Sequence, residues 1–338
     1  MKGVKFNDIH SYKDLNLVLA PFQMPPAEPK TNFIDVPGAD GSLDMTEALG
    51  EVKFNDRTGS MTFSVLPQDD FEVKKTQVSN ILNGLKCKIT LDKDPEFYYF
   101  GRLSVSDYKA NKMLRQITVD FRVQPYKYKQ TETVVFLPFC EKNLIPYPYT
   151  GTFGESGGLT YTDNGDGTIT VKGTVTDAFS WLTLHNDLAL ADGVTYYLGG
   201  SSLFLSYKDE TGATKYAIHG KTITWSKKYT LGRAYLQYPK GEVIDEIVYP
   251  MLCVGDSEAA YEPYTPKTTI DVVLLNNRKS IVPTITTTAE TTVTFDGGQH
   301  VLGAGTHKVL DIQLLQGENP MTLEGSGTTI ITYQEGAL

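Results

Sequence analysis

Two tryptophans, Trp181 and Trp225, stand in a stretch that also holds Tyr196, Tyr197, Tyr207, Tyr216, Tyr229, Tyr235 and Tyr238. Aromatic faces stack on the apolar faces of sugar rings, and neighbouring Asp or Asn side chains hydrogen-bond the hydroxyls. Residues of these types therefore build a non-catalytic saccharide site. Trp181, Trp225, Tyr207 and Tyr235 form the candidate platform. The competing reading is that the same rings fill a small β-core, where buried aromatics dominate.

Reaction chemistry finds less support. His10, His185, His219, His300 and His307 form no HExxH or HxH pattern, and the chain has no GxSxG elbow, Walker loop or dinucleotide fingerprint. Gly303-Ala304-Gly305 reads as a turn. Asp245 and Glu246 are adjacent, so on a strand they point to opposite faces and cannot oppose each other across a glycosidic bond. Asp163-Asn164-Gly165-Asp166-Gly167 has the look of a calcium loop, but its third position is Gly165 and its twelfth is Thr174, leaving no bidentate Glu. The strand-like Thr168-Ile169-Thr170-Val171 that follows makes Asp166-Gly167 a hairpin turn. Cys87, Cys140 and Cys253 are odd in number, widely spaced and without a CxxC pair, which suits reduced core thiols. The expectation is a protein that is not an enzyme, with no catalytic residue, metal site or cofactor.

The elements that must position the aromatics are strands. The 338 residues include 20 Tyr and 30 Gly, with threonine runs such as Thr284-Ile285-Thr286-Thr287-Thr288, a composition that suits pleated surfaces and their turns. Period-two alternation puts Met61, Phe63 and Val65 on one face, and Ile117, Val119, Phe121 and Val123 on another. Between them Phe71, Lys74, Lys75, Val78, Ile81, Leu82 and Leu85 repeat at three and four residues, predicting one helix over residues 70–85 with an Asp cap and a Gly84 stop. A strand pair follows over residues 86–91 and 97–105. Residues 20–41, broken by Pro21, Pro25, Pro26, Pro29 and Pro37, read as an extended loop or arm, and a loop of that length usually has a contact to make.

Proline-broken stretches at Asn143-Leu144-Ile145-Pro146-Tyr147-Pro148-Tyr149 and Tyr261-Glu262-Pro263-Tyr264-Thr265-Pro266 bracket a run of short strands and turns. Its ends are alike and should lie together, as in a module inserted into another domain. Residues 131–137 are expected to pair with the tail on the far side of that insert. The tail itself reads as strands over residues 269–275, 281–287, 291–295, 306–312, 321–323 and 328–333, with Gln316-Gly317-Glu318-Asn319-Pro320 as a turn. The fold class is mainly β: an α+β domain with one main helix over residues 1–130, a β-sandwich from residues 131–140 plus 267–338, and an inserted jelly-roll-like β-sandwich over residues 141–266.

Net charge is −9, distributed as +1 over residues 1–130 and −6 over residues 141–266. An acidic balance with no basic cluster along the sequence argues against wrapping nucleic acid, since phosphate contacts need Lys and Arg. No stretch reaches membrane-span length, and Met1-Lys2-Gly3-Val4-Lys5-Phe6-Asn7-Asp8 has no apolar h-region. A chain made and kept soluble inside a cell, without membrane insertion, is expected.

Glu51-Val52-Lys53-Phe54-Asn55-Asp56-Arg57-Thr58-Gly59-Ser60-Met61-Thr62-Phe63, the helix ending Leu82-Asn83-Gly84, then Ile89-Thr90-Leu91-Asp92-Lys93-Asp94-Pro95-Glu96-Phe97-Tyr98-Tyr99-Phe100-Gly101-Arg102, and finally Val119-Asp120-Phe121-Arg122-Val123-Gln124-Pro125-Tyr126-Lys127-Tyr128 follow one another in an order and spacing that resembles the distal tail proteins of long-tailed phages of Gram-positive hosts. The resemblance covers about 130 residues. It implies a belt domain, six copies of which close into a ring that extends the tail tube and leaves a channel where DNA is only passing cargo. It also implies a galectin-like carboxy-terminal sandwich, and, as partners, the tail tube protein, the tail-associated or baseplate hub protein and receptor-binding proteins. The location implied is the tail tip of the virion, after assembly in the host cytoplasm. The insert resembles carbohydrate-binding-type modules spliced into phage tail proteins, which implies host cell-wall saccharides as a further partner. A tail-associated glycan hydrolase and a bacterial secreted adhesin are the rival readings; the first lacks a carboxylate pair, the second a signal peptide.

Overall fold

The computed structural model describes residues 3–48, 50–110 and 115–338; Met1 and Lys2 of the amino-terminal stretch lie outside them. The described chain is mainly β, with one helix among many antiparallel strands. Its buried apolar side chains gather into three clusters.

The first cluster lies under an antiparallel sheet ordered Ile9–His10, Val4–Phe6, Lys86–Leu91, Phe97–Ala110, Arg115–Val123, Arg57–Val65, Leu17–Leu19. The period-two residues Met61, Phe63, Val65, Ile117, Val119, Phe121 and Val123 are all buried there, with Val4, Phe6, Cys87, Ile89 and Leu103. The helix Phe71–Leu82 lays Val78 and Leu82 on the same core, and its cap is Asp70, whose carboxylate accepts from the Val73 N–H at 3.0 Å. The helix is shorter than the 70–85 expected. Gly84 takes φ +77° and donates its N–H to the Leu103 carbonyl at 2.9 Å, which turns the chain into the sheet before Leu85.

The proline-rich stretch also differs from a plain extended loop. Phe33–Asp35 pairs with Ser42–Asp44 in a two-stranded hairpin whose residues are all exposed. Pro21, Pro25 and Pro26 precede the paired positions and Pro37 sits in the connecting loop, while Pro29 takes part only in an isolated bridge to Phe54, where its missing N–H is not needed.

The second cluster is enclosed by three sheets built from residues 154–254. One joins Gly154–Ser156, Leu159–Asp163, Ile169–Thr174 and Val243–Val248. Another is ordered Phe179–His185, Thr230–Pro239, Leu203–Lys208, Thr214–Ile218, and a third Thr222–Thr224, Thr195–Gly199, Met251–Val254. Tyr161, Val171, Leu182, Leu205, Leu236 and Tyr238 point between them. The turn between Leu159–Asp163 and Ile169–Thr174 is the hairpin the sequence predicts. The chain enters and leaves this region at one place: Glu141 N–H donates to the Thr265 carbonyl and Lys267 N–H to the Phe139 carbonyl, both at 2.9 Å.

The third cluster lies between two four-stranded sheets. Thr133–Pro138 pairs along its length with Thr328–Tyr333, joining chain from before and after residues 141–266. Two tail expectations change. Residues 306–312 keep only the short strand Gly305–His307, and Gln316-Gly317-Glu318-Asn319-Pro320 enters the strand Gly317–Gly325 instead of forming a turn. The buried Asn319 amide explains the second change. It accepts from Leu315 N–H at 2.7 Å and donates to the Leu274, Leu315 and Gly317 carbonyls, holding the strand entry in place.

Candidate functional site

Alternation on the strand Phe179–His185 sends Ser180, Leu182 and Leu184 to the core, and Phe179, Trp181 and Thr183 outwards. The same rule on the paired strands turns Phe204, Tyr216, Arg233, Tyr235 and Gln237 to that outer face. Registers set the neighbours: Trp181 lies opposite Gln237, Tyr235 opposite Phe204 and Thr183 opposite Tyr235. With Asp177 and Ala178 from the preceding loop, Phe179, Trp181, Phe204, Tyr216, Tyr235 and Gln237 line a groove of about 630 Å³, within the ~300–1,000 Å³ typical of small-molecule sites.

Within the groove Trp181 is 56% exposed, a large apolar ring presented to solvent. Phe204 and Tyr235 stack with centroids 5.6 Å apart and planes at 25°. The Arg233 guanidinium lies 5.3 Å from the Trp181 ring centre and 5.1 Å from that of Tyr235, and its Nη2 donates to Thr183 Oγ1. Arg233 thus lies against both rings. Burial, with Tyr216 adding to it, pushes the Tyr235 hydroxyl above its usual range, so it stays neutral at physiological pH. Trp181, Phe179 and Tyr216 offer stacking surfaces for a flat ring with apolar C–H faces, and Asp177 and Gln237 offer hydrogen bonds at its edge. Asp177 is the one carboxylate in the lining; acid–base hydrolysis of a glycoside requires two.

The four residues of the sequence-derived platform separate. Trp181 and Tyr235 share the groove, although Tyr235 is only 4% exposed. Trp225, 6% exposed, belongs to the core, with its ring centre 5.7 Å from Tyr207 and 5.6 Å from Tyr229. Tyr207 lines a second, smaller hollow of about 420 Å³ with Asn186, Asp187, Lys208 and Arg233. Phe179, Phe204 and Arg233 were not singled out in the sequence. The alternation Phe179-Ser180-Trp181-Leu182-Thr183 is the signal that could have found the first; the other two needed the strand registers.

The residues weighed for catalysis lie elsewhere. Asp245 is exposed and ion-paired with Lys172 at 3.1 Å, while Glu246 accepts from Tyr238 Oη at 2.7 Å and Ser201 Oγ at 3.1 Å on the other face. Asp163 accepts from Gly165 N–H and Tyr147 Oη, and Asp166 from Thr168 N–H and Oγ1, so both carboxylates serve the turn. His10 Nδ1 accepts from Tyr12 N–H at 3.0 Å, leaving Nε2–H to donate to Asp92 at 3.1 Å. All three cysteines are buried and unbridged. Among the described residues no group of three or more His, Cys, Asp or Glu is placed to hold a metal ion.

Fold and site together define a mainly β chain with three apolar cores and an aromatic groove on the outside of one of them. No protein-family model matches the chain, and no curated protein matches it in sequence. Among solved structures it is similar to the Dit (gp 19.1) protein of SPP1, described as a paradigm of the hub adsorption apparatus in phages infecting Gram-positive bacteria. The two are 9% identical, the whole of each chain is covered and the TM-score is 0.41. It is also similar to HutD from Pseudomonas fluorescens SBW25, at 7% identity and a TM-score of 0.15, over 61% of this chain and the whole of that one. At these TM-scores neither likeness carries a functional conclusion.

Proposed function

We propose that this chain is a structural hub of a phage tail tip, forming a ring between the tail tube and the baseplate or receptor-binding apparatus, with residues 141–266 as an accessory module that binds host-surface saccharides. Residues 1–130 are the ring-forming belt, and residues 131–140 plus 267–338 a galectin-like sandwich that carries other tail proteins. The reading is supported by the family resemblance of residues 51–128, whose elements fall on one sheet and one helix. The observation that carries it is the hairpin of Phe33–Asp35 and Ser42–Asp44. An isolated two-stranded ribbon buries neither face and is marginal by itself, yet this one holds Phe33, Ile34 and Leu43 in solvent. Such a ribbon becomes stable by lying on another subunit.

The test is light scattering and negative-stain imaging of the full chain. The expected result is a particle of six times the 37.4 kDa chain mass with a central hole, lost when residues 33–44 are replaced by a short Gly-Ser turn. A monomer at every concentration, joined by absence of the protein from purified tail tips, overturns the hub. The saccharide half is supported by the Trp181 groove. Its test is binding of the full chain to purified host cell-wall polysaccharide; retention unchanged by Trp181→Ala overturns it.

A further inference from the structure

Two surfaces of the first 130 residues are unmatched within one copy. The first is a rung of like charge. Lys86 lies directly opposite Arg102, and Arg102 directly opposite Arg122, across three adjacent strands. All three point away from the core that takes Cys87, Leu103, Phe121 and Val123. Like charges opposite one another on a sheet destabilise it. Arg122 alone is compensated, by Asp56 at 2.8 Å. Arg102 donates to the Gly84 carbonyl at 2.6 Å, and Lys86 lies 5.2 Å from the Phe100 ring centre. Lys88, one position along, sits 4.4 Å from that of Tyr98. None of these three meets a carboxylate among the described residues. A groove of about 430 Å³ runs over the rung. The carboxylate of Asp120 in its lining is engaged by Ser60 Oγ at 2.6 Å.

The second surface is the hairpin arm. Residues 31–52 contain Asp35, Asp40, Asp44, Glu47 and Glu51, and no Lys or Arg. Glu51 is used at the base of the arm by Ser280 Oγ and Lys53. The other four are exposed and form no ion pair among the described residues, Asp35 accepting only from Ser42 Oγ at 2.6 Å and Asp44 from Thr46 N–H at 2.9 Å. Some ten residues a side, extended, reach about 33 Å at most, far enough to cross a neighbouring domain of this size.

We infer that the acidic arm of one copy lies across the cationic rung of the next, its carboxylates meeting Lys86, Lys88 and Arg102. The contact joins two different surfaces and is therefore heterologous, repeating from copy to copy until a ring closes. It rests on the self-assembling hub reading and supplies that reading with its partner surfaces. Charge complementarity favours the arm over a polynucleotide as occupant, because the chain carries −9 overall and each copy brings its own carboxylates to the rung.

The experiment uses the full chain with two charge reversals, separately and combined: K86E/R102E on the sheet, and D35K/D40K/D44K on the arm. Each reversal alone is expected to weaken self-association about tenfold or more, and the combination to restore it. K86Q, which relieves the like-charge rung without reversing it, is expected to keep or raise Tm while weakening assembly, separating a lost contact from a lost fold. Assembly of the parent chain should also weaken as salt rises. If the parent chain assembles and the reversals leave assembly unchanged, the arm-on-rung contact is wrong and the hub stands. If the parent chain never assembles, the arm-on-rung contact is overturned, and absence of the protein from purified tail tips as well overturns the hub. If K86E/R102E abolishes retention of duplex DNA and leaves assembly unaltered, the face is a polynucleotide surface and the inference is overturned.

Discussion

At the scale of single residues, Trp181 and Trp225 show how one residue type divides between two tasks. Trp225→Ala removes a ring that is 6% exposed and is expected to cost about 3–5 kcal/mol, read as a fall in urea midpoint, before any effect on binding. Trp181→Ala removes a ring that solvent already covers by half, so stability should move by less than about 0.5 kcal/mol while saccharide retention falls. A variant pair with the opposite pattern would place the binding surface elsewhere. The cysteines give a pH prediction. Burial pushes the Cys87 and Cys140 thiols from 9.0 up to about 11. The native state holds them protonated, and their contribution is fully present below the unfolded value. It is lost as pH climbs from about 9 through 11, where the unfolded chain alone gains by ionising. The denaturation midpoint should fall across that window, and alkylation near pH 8 should await unfolding.

At the scale of elements, the sheet of residues 1–130 and its helix depend on a few positions where the chain has no spare room. Asp70→Ala deletes the acceptor for Val73 N–H and is expected to cost about 1 kcal/mol, measured by urea unfolding. Gly101 allows two strands to meet: a Cβ there would lie 2.1 Å from the Arg122 carbonyl oxygen and 2.5 Å from Val123 Cα. Gly101→Ala must therefore push the strands Phe97–Ala110 and Arg115–Val123 apart, and a destabilisation of several kcal/mol is expected. Since Arg102 and Arg122 sit on those strands, the same change should weaken assembly beyond what the loss of stability explains. The aromatic groove depends on register in the same way, because Trp181, Tyr235 and Phe204 come from three strands.

At the scale of the whole molecule, residues 141–266 hang from one point. Their ends are tied by the bonds of Glu141 to Thr265 and of Lys267 to Phe139, while Thr133–Pro138 and Thr328–Tyr333 close the sheet beneath. We expect the segment to be removable. Joining Cys140 to Lys267 through a short Gly-Ser linker should leave a folded, assembling chain that no longer retains cell-wall polysaccharide. Loss of folding in that deletion would mean that the second core supports the other two. Phe136 packs against Tyr196 with ring centres 5.9 Å apart, and Lys267 pairs with Glu141 at 3.2 Å, both across the division, so a modest drop in Tm is expected.

The sequence by itself determined the strands that carry Met61, Phe63, Val65 and Ile117 to Val123, and the helix up to Leu82, since these are local patterns read along one strand or one helix. It also determined the turn at Asp166-Gly167, because glycine acts through its own backbone angles. What only the tertiary structure decided are the surfaces. Trp225 and Trp181 look alike in sequence, and strand direction and sheet stacking sent one inside and the other out. The chain shows no basic cluster when read end to end, yet Lys86, Arg102 and Arg122 become neighbours once three strands align. A sheet brings distant residues together by register, and register is fixed by the packing of its buried face, which no single stretch of chain contains.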